Sequence, residues 1–233
     1  MQKTTKKVLV LAIDGEPAAG KGTLAKGIAK YFNMLYMDTG AMFRAFGLYF
    51  INNNIEITDN NIQEHINNIN IDLEYKNLEI HVFLNGVEVT NSIRSTKATM
   101  AAKIVSQNKL VREKMTFLQR NIAKKSNSVI DGQDIGTVIF PDADVKIFLV
   151  ADIDEKARRR KLDFDKKGEK ISFEKVKNDI LQRTKADYER KIAPLKKAED
   201  AYLIDNTNLT KEETLQTAIK IINEKLKDKK DDI

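Results

Sequence analysis

The sequence predicts an α/β fold in three layers, with helices covering a mostly parallel sheet, and three observations carry that prediction. Val8–Asp14 is a continuous aliphatic run closed by Gly15, the composition of a central strand covered on both faces. A helical stripe follows at once: Leu24, Ile28 and Tyr31 or Phe32 share one face of a segment from Thr23 to Phe32 that ends near Asn33. The strand signal then returns at Ser128–Asp131, Val145–Val150 and Ala201–Asp205, the last preceding a helix over about 211–226.

The stretch from Ile71 to Val89 breaks this rhythm. Ile71–Tyr75 and Leu78–Leu84 alternate apolar and polar residues, are joined by Lys76-Asn77 and are followed by Asn85-Gly86, which together predict hairpins in a small antiparallel insert off the main sheet. The asparagine-rich text before it keeps isoleucines at regular spacing and reads as compositional bias, not a disordered linker. The last residues, KDKKDDI, read as a frayed tail.

A chain of 233 residues suits one domain with attachments. Forty Lys and Arg against 34 Asp and Glu leave a charge of +6, a mild excess suited to phosphorylated substrates and to weak contact with RNA or membrane surfaces. With no cysteine, disulfides, thiolate catalysis and Cys-ligated zinc are excluded. His65 and His81, the two histidines, stand too far from acidic clusters to suggest a metal site. The first apolar run is too short for a signal peptide and no stretch reaches the ~20 apolar residues of a membrane span, so a soluble, cytoplasmic protein is expected.

Gly15-Glu16-Pro17-Ala18-Ala19-Gly20-Lys21-Gly22-Thr23 fits the phosphate-loop pattern G-x-x-x-x-G-K-[ST] with one extra glycine before the hydroxyl. Glycines let successive N–H groups turn inward, and the helix beginning near Gly22 adds its positive end. Lys21 brings an ammonium to β- and γ-phosphates, and the Thr23 hydroxyl is placed to meet Mg²⁺. Downstream, Asp38-Thr-Gly opens a helix with Arg44 one turn in: an ordinary helix cap, or a clamp for a monophosphate through N–H, hydroxyl and guanidinium. Asp131, at the end of an apolar strand, reads either as a strand-end cap or as a carboxylate that orients Lys21 or holds Mg²⁺ through water.

The Gly-Lys-Gly-Thr ending resembles nucleoside monophosphate kinases. Asn85-Gly-Val-Glu-Val-Thr, Ile93-Arg-Ser, Val111-Arg-Glu, Asp131-Gly-Gln-Asp-Ile-Gly-Thr, Phe140-Pro-Asp-Ala, Val145-Lys-Ile-Phe-Leu, Ala157-Arg-Arg-Arg and Ala193-Pro-Leu then resemble bacterial cytidylate kinase, in that family's order and over nearly the whole chain. The resemblance implies a phosphate-loop kinase core (about 1–38, 106–151 and 192–233), an acceptor-binding region carrying the β insert (39–105) and a short helical lid (152–191). It implies ATP as donor with Mg²⁺, CMP and dCMP as acceptors, and a cytoplasmic monomer without a membrane or specific nucleic-acid partner.

By the same resemblance, Gly15 to Thr23 bind ATP, and Thr39 and Arg44 hold the acceptor phosphate. Arg112 and Asp134 read cytosine, the guanidinium donating to the carbonyl and ring nitrogen and the carboxylate accepting from the exocyclic amine. Lys103 stands where a serine helps read the base, and Gln133 sits beside the acceptor. Arg183, Asp187 and Arg190, at spacings of four and three on an expected helix over 182–191, would by spacing alone be a solvated charge ladder; the resemblance assigns them to ribose, phosphate and base. Arg158 and Arg160 are the lid choices for the transferring phosphoryl, with Arg159 left as surface charge, on a helix capped by Asp152 or Asp154.

Some positions depart from the family pattern. Gln133 replaces an arginine, Ala186 replaces another, and Glu16 puts an acid where the family commonly has proline. Each lost cation at a phosphoryl-transfer site costs a few kcal/mol, roughly 10²- to 10³-fold in rate. A nucleotide-binding paralogue with weakened catalysis and a regulatory or RNA-contact role is therefore the alternative expectation.

Overall fold

The first aliphatic run becomes β1 (Val10–Gly15), buried from Leu11 to its end because neighbours cover both faces. A computed structural model describes residues 8–76, 79–166 and 168–231. Their packing divides into two units. Among the described residues, one holds 8–9 and Met34–Ser128; the other holds Val10–Asn33 and those from Val129 to 231.

In the second unit β1 is followed by α1 (Lys21–Phe32) and, later in the chain, by β6 (Ser128–Asp131), β7 (Val145–Val150) and β8 (Tyr202–Asp205). The strands stand in the order β6-β1-β7-β8. β1 runs parallel to β7 with Gly15 opposite Leu149, and β7 runs parallel to β8 with Val150 opposite Asp205. The carboxyl ends of these strands therefore share one edge, where open α/β sheets bind ligands. Helices flank the sheet: α6 (Ile153–Lys166), α7 (Phe173–Glu189) and α8 (Lys211–Asp231) belong to this unit with α1. Asp152, the first of the two expected caps, accepts from the Asp154 N–H at 2.7 Å.

Three boundaries differ from expectation. α7 begins nine residues before Gln182 and stops at Glu189, leaving Arg190 extended at φ −61°, ψ 138°. α8 continues to Asp231 through residues read as a frayed tail, because lysine is a good helix former and a terminal turn needs no apolar stripe. Between β6 and β7 the chain makes one π-helical turn, Ile135–Ile139, which periodicity does not foresee.

The first unit contains β2 (Leu35–Asp38), α2 (Thr39–Asn52), α3 (Asp59–His65), the meander β3 (Ile71–Lys76), β4 (Glu79–Leu84) and β5 (Val87–Glu88), and the helices α4 (Thr96–Val105) and α5 (Lys109–Ala123). Asn85 and Gly86 both take positive φ, 50° and 80°, as a two-residue turn between Leu84 and Val87 requires. Of the other expected hairpin connection, Lys76-Asn77, residue 77 lies outside the described residues. Each helix start has a polar cap: Asp38 accepts from Ala41 N, Thr58 from Asn61 N, Ser95 from Ala98 N and Asn108 from Val111 N.

α2 supplies the core of this unit with Met42, Phe46 and Phe50, all fully buried. It crosses α4 so closely at Gly47 that an added Cβ would lie 2.6 Å from Ala101 Cβ. Replacing a helix-interior glycine by alanine ordinarily gains up to ~1 kcal/mol. Gly47→Ala should instead destabilise by about 1–3 kcal/mol, since overpacking outweighs propensity. Urea unfolding followed by far-UV circular dichroism reads the sign directly.

Candidate functional site

The loop after β1 is shaped by backbone approach before any side chain acts. Gly15 takes φ +148°, and a Cβ there would sit 2.1 Å from Leu149 O, so only glycine fits. Glu16 N donates to that same Leu149 O at 3.2 Å, and Ala19 N returns to Glu16 O at 3.3 Å. Ala18 adopts φ 63° and Gly20 φ 97°, which turns the chain directly into α1. Pro17 and Ala19 are buried within the turn, and Gly22 and Thr23 lie in the first helical turn. Gly20, as N-cap, offers no side-chain oxygen to those first N–H groups, the arrangement that helix N-termini use for anions.

Lys21 Nζ donates to Glu16 O at 2.8 Å, folding the ammonium back over the loop. Burial pushes its pKa down to about 8; Asp131, at the end of β6, is the strongest charge opposing that shift, and Arg183 adds to it. Asp14, only 4% exposed, accepts from Ile135 N at 2.8 Å and Gly136 N at 2.7 Å and so ties the strand before the loop to the segment after Asp134. Burial raises the Asp14 carboxyl to about 6 despite those two donors.

A second set of charges lies in the same unit. Gln133 donates through Nε2 to Asp187 Oδ2 and accepts at Oε1 from Arg190 Nη1 at 2.8 Å. Arg190 Nη2 also stands 3.5 Å from Asp134 Oδ1, and Arg183 Nε stands 3.9 Å from Asp187 Oδ2. The expected face of Arg183, Asp187 and Arg190 is thus real for the first two. Arg190 joins from beyond the helix end, its Nε donating to Ala193 O.

The three adjacent arginines of α6 take distinct places. Arg158 is exposed and makes a two-pronged pair with Glu155, at 2.7 Å for both bonds. Arg160 lies over the Phe164 ring at 4.6 Å. Arg159, read from sequence as surface charge, instead donates to Asn206 Oδ1 at 3.0 Å and Asn206 O at 2.8 Å, and Asn206 Nδ2 donates to the loop carbonyl of Ala19 at 3.0 Å. Asn206 follows β8 at the sheet edge where the phosphate loop begins, and that position was the available signal for it.

In the first unit Thr39 opens α2 and is buried. Arg44 Nη2 donates to Asp38 Oδ2 at 2.9 Å, so the helix cap and the cation are held together. Arg112, 8% exposed, donates to Ser106 O at 3.2 Å and stands 5.7 Å above the Phe43 ring. Lys103 is exposed on α4, where its carbonyl accepts from the Ser106 hydroxyl.

Among the described residues no group of three or more His, Cys, Asp or Glu could hold a metal by itself. The Thr23 hydroxyl and the Asp131 carboxylate are hard oxygen donors of the kind Mg²⁺ takes in ones and twos while bound phosphates fill its other positions, and they fit such an ion. No described helix is long and apolar enough to cross a membrane.

A glycine-turned phosphate loop at the carboxyl edge of a parallel sheet, beside buried acids and guanidinium groups, defines a phosphate-loop nucleotide-binding protein. Sequence comparison sharpens the class. The chain belongs to the cytidylate kinase family, whose model matches residues 11–224. It is 43% identical to the cytidylate kinase of Thermosipho melanesiensis over 93% of this chain and 98% of that one. It is 42% identical to a cytidylate kinase of Bacillus cereus, over 93% and 97% of the two chains, and 41% identical to that of Bacillus cytotoxicus, over 94% and 98%.

Lys21 gives this site a pH signature. Above about 8 the free protein loses the ammonium, while a polyphosphate favours it, so binding should take up a proton as pH rises from 8 toward 10. Affinity for inorganic tripolyphosphate should fall up to about tenfold per pH unit in that window. Calorimetry in two buffers of different ionisation enthalpy reads the uptake, which Lys21→Met should abolish.

Proposed function

We propose that this protein transfers the γ-phosphoryl group of ATP to CMP, giving ADP and CDP. The observation that carries the reading is family membership over nearly the full length, with the phosphate loop present. ATP is the donor held by Gly15 to Thr23, with Lys21 at its β- and γ-phosphates. Thr39 and Arg44 bind the acceptor phosphate; Arg112 and Asp134 read cytosine, with Lys103 and Gln133 beside it; Arg183, Asp187 and Arg190 complete the acceptor set. Residues 39–105 serve as the acceptor region and 152–191 as the lid, within a kinase core of about 1–38, 106–151 and 192–233.

An oxygen of the CMP phosphate, already anionic at neutral pH, attacks the γ-phosphorus in line as the bond to the β-bridging oxygen breaks, and ADP leaves with that electron pair. No general base is needed. Thr23 and Asp131 would help to hold Mg²⁺, which would supply charge neutralisation to the transferring phosphates. Lys21 holds charge through the transfer, and Arg158 or Arg160 adds to it from the lid, with Arg159 holding Asn206 against the loop. Turnover of dCMP, a cytoplasmic location and a monomeric state complete the proposal. The weakened-paralogue alternative has no observation in its favour, since Gln133 and Glu16, two of the changes that raised it, are both paired.

A coupled assay with ATP, Mg²⁺ and a panel of CMP, dCMP, UMP and AMP should show turnover greatest with CMP. Nucleotide binding without turnover of any acceptor would refute the kinase reading.

Asp134→Ala should lower the CMP-over-UMP preference in kcat/KM by about tenfold or more, as expected when an acceptor for the exocyclic amine is removed. A preference that survives intact would move cytosine reading elsewhere.

A further inference from the structure

Glu16 is an acid inside a loop built for polyphosphate, and the ATP role of that loop does not account for it. Its side chain turns toward the two lid helices. Glu16 Oε2 pairs with Lys156 Nζ of α6, and Glu16 Oε1 accepts from the Tyr188 hydroxyl of α7 at 3.3 Å. The Lys156 side chain is 5% exposed and that of Glu16 is 18% exposed, so water screens the pair poorly. Alongside it Ala18 packs on the apolar cluster of Ala157, Val176 and Ile180, which joins the same two helices. The main chain of Glu16 has a separate task, since its carbonyl receives Lys21 Nζ at 2.8 Å.

We infer that Glu16, Lys156 and Tyr188 form a positioning clamp for the donor site: Glu16 fixes the phosphate loop to both lid helices, and Lys156 cancels the charge that would otherwise oppose a triphosphate. This rests on the reading of the loop as the ATP site. One residue therefore couples the lid to the anchor of the catalytic lysine, through its side chain on one side and its carbonyl on the other. The acid is tolerated in the loop only together with its lysine. A buried carboxylate stripped of its partner is strongly unfavourable, whereas a pair replaced on both sides by neutral groups is not.

The charge logic predicts an unusual order of variants. Lys156→Met should raise the KM for ATP about tenfold or more while the KM for CMP changes less than about twofold. Adding Glu16→Gln to Lys156→Met should recover most of that loss, because the uncancelled charge is gone. Tyr188→Phe, at a position 43% exposed, should raise the KM for ATP about two- to threefold, the weight of one hydrogen bond.

Melting temperatures accompany the kinetics. A Lys156→Met protein that fails to fold while the double variant folds is the same result read through stability. A double variant no better than Lys156→Met in either folding or KM overturns the clamp and makes Lys156 a direct ligand of the nucleotide. Equal rises in both KM values also overturn it, since they indicate general loosening. Calorimetry of ATP with the unmutated protein separates the two levels: no ATP binding removes the functional reading and the clamp with it, whereas ATP binding with an additive double variant removes the clamp alone.

Discussion

The site depends on one backbone approach, that of Gly15 to Leu149 where β1 and β7 run parallel. Gly15 sits so close to the Leu149 carbonyl that no Cβ fits, and the next residue, Glu16, donates its N–H to that same oxygen. The strand thus ends and the loop begins on a single acceptor. From there the positive φ at Ala18 and Gly20 and the return bond from Ala19 to Glu16 give the chain one short route into α1. Lys21 closes the loop on the Glu16 carbonyl, so the lysine's position is inherited from the approach at Gly15, one residue before that carbonyl.

Around that loop the charges are arranged to be unequal partners. Asp14 is spent on two backbone N–H groups and is pushed up to about 6 by burial, so it acts as a brace between the β1 end and the segment after Asp134. Asp131 faces Lys21 and favours its ammonium, while burial works the other way. The balance leaves the lysine's pKa lowered to about 8, so its charge is sensitive to what binds. An incoming polyphosphate supplies what burial removes, so ligand charge and lysine charge are coupled.

Features set by local rules were legible in the sequence. The glycine pattern, the Asn85-Gly86 turn and the Asp38 and Asp152 caps each answer to backbone torsions or unsatisfied N–H groups within a few residues, and the aliphatic runs answer to burial in a sheet. What escaped reading depends on distant partners. Arg159 is one of three adjacent arginines, and only the position of Asn206 at the end of β8 separates it from Arg158. Arg190 was read as helical because charge spacing continues past the point where α7 ends. Glu16 read as a liability because its partners, Lys156 and Tyr188, lie 140 and 172 residues away in the chain.

Gln133 shows how a neutral side chain can serve two opposite charges at once. At its position the side chain meets an acid, Asp187, on one side and a guanidinium, Arg190, on the other. An arginine there could donate to the acid but would face Arg190 as a like charge. The glutamine amide donates to one and accepts from the other, so both neighbours keep a hydrogen bond and neither is left uncompensated. Arg190 stands 3.5 Å from Asp134 and Arg183 stands 3.9 Å from Asp187, so each acid also has a guanidinium beside it. The neutral amide thus bridges an acid and a guanidinium at a point where a second cation would be repelled by Arg190.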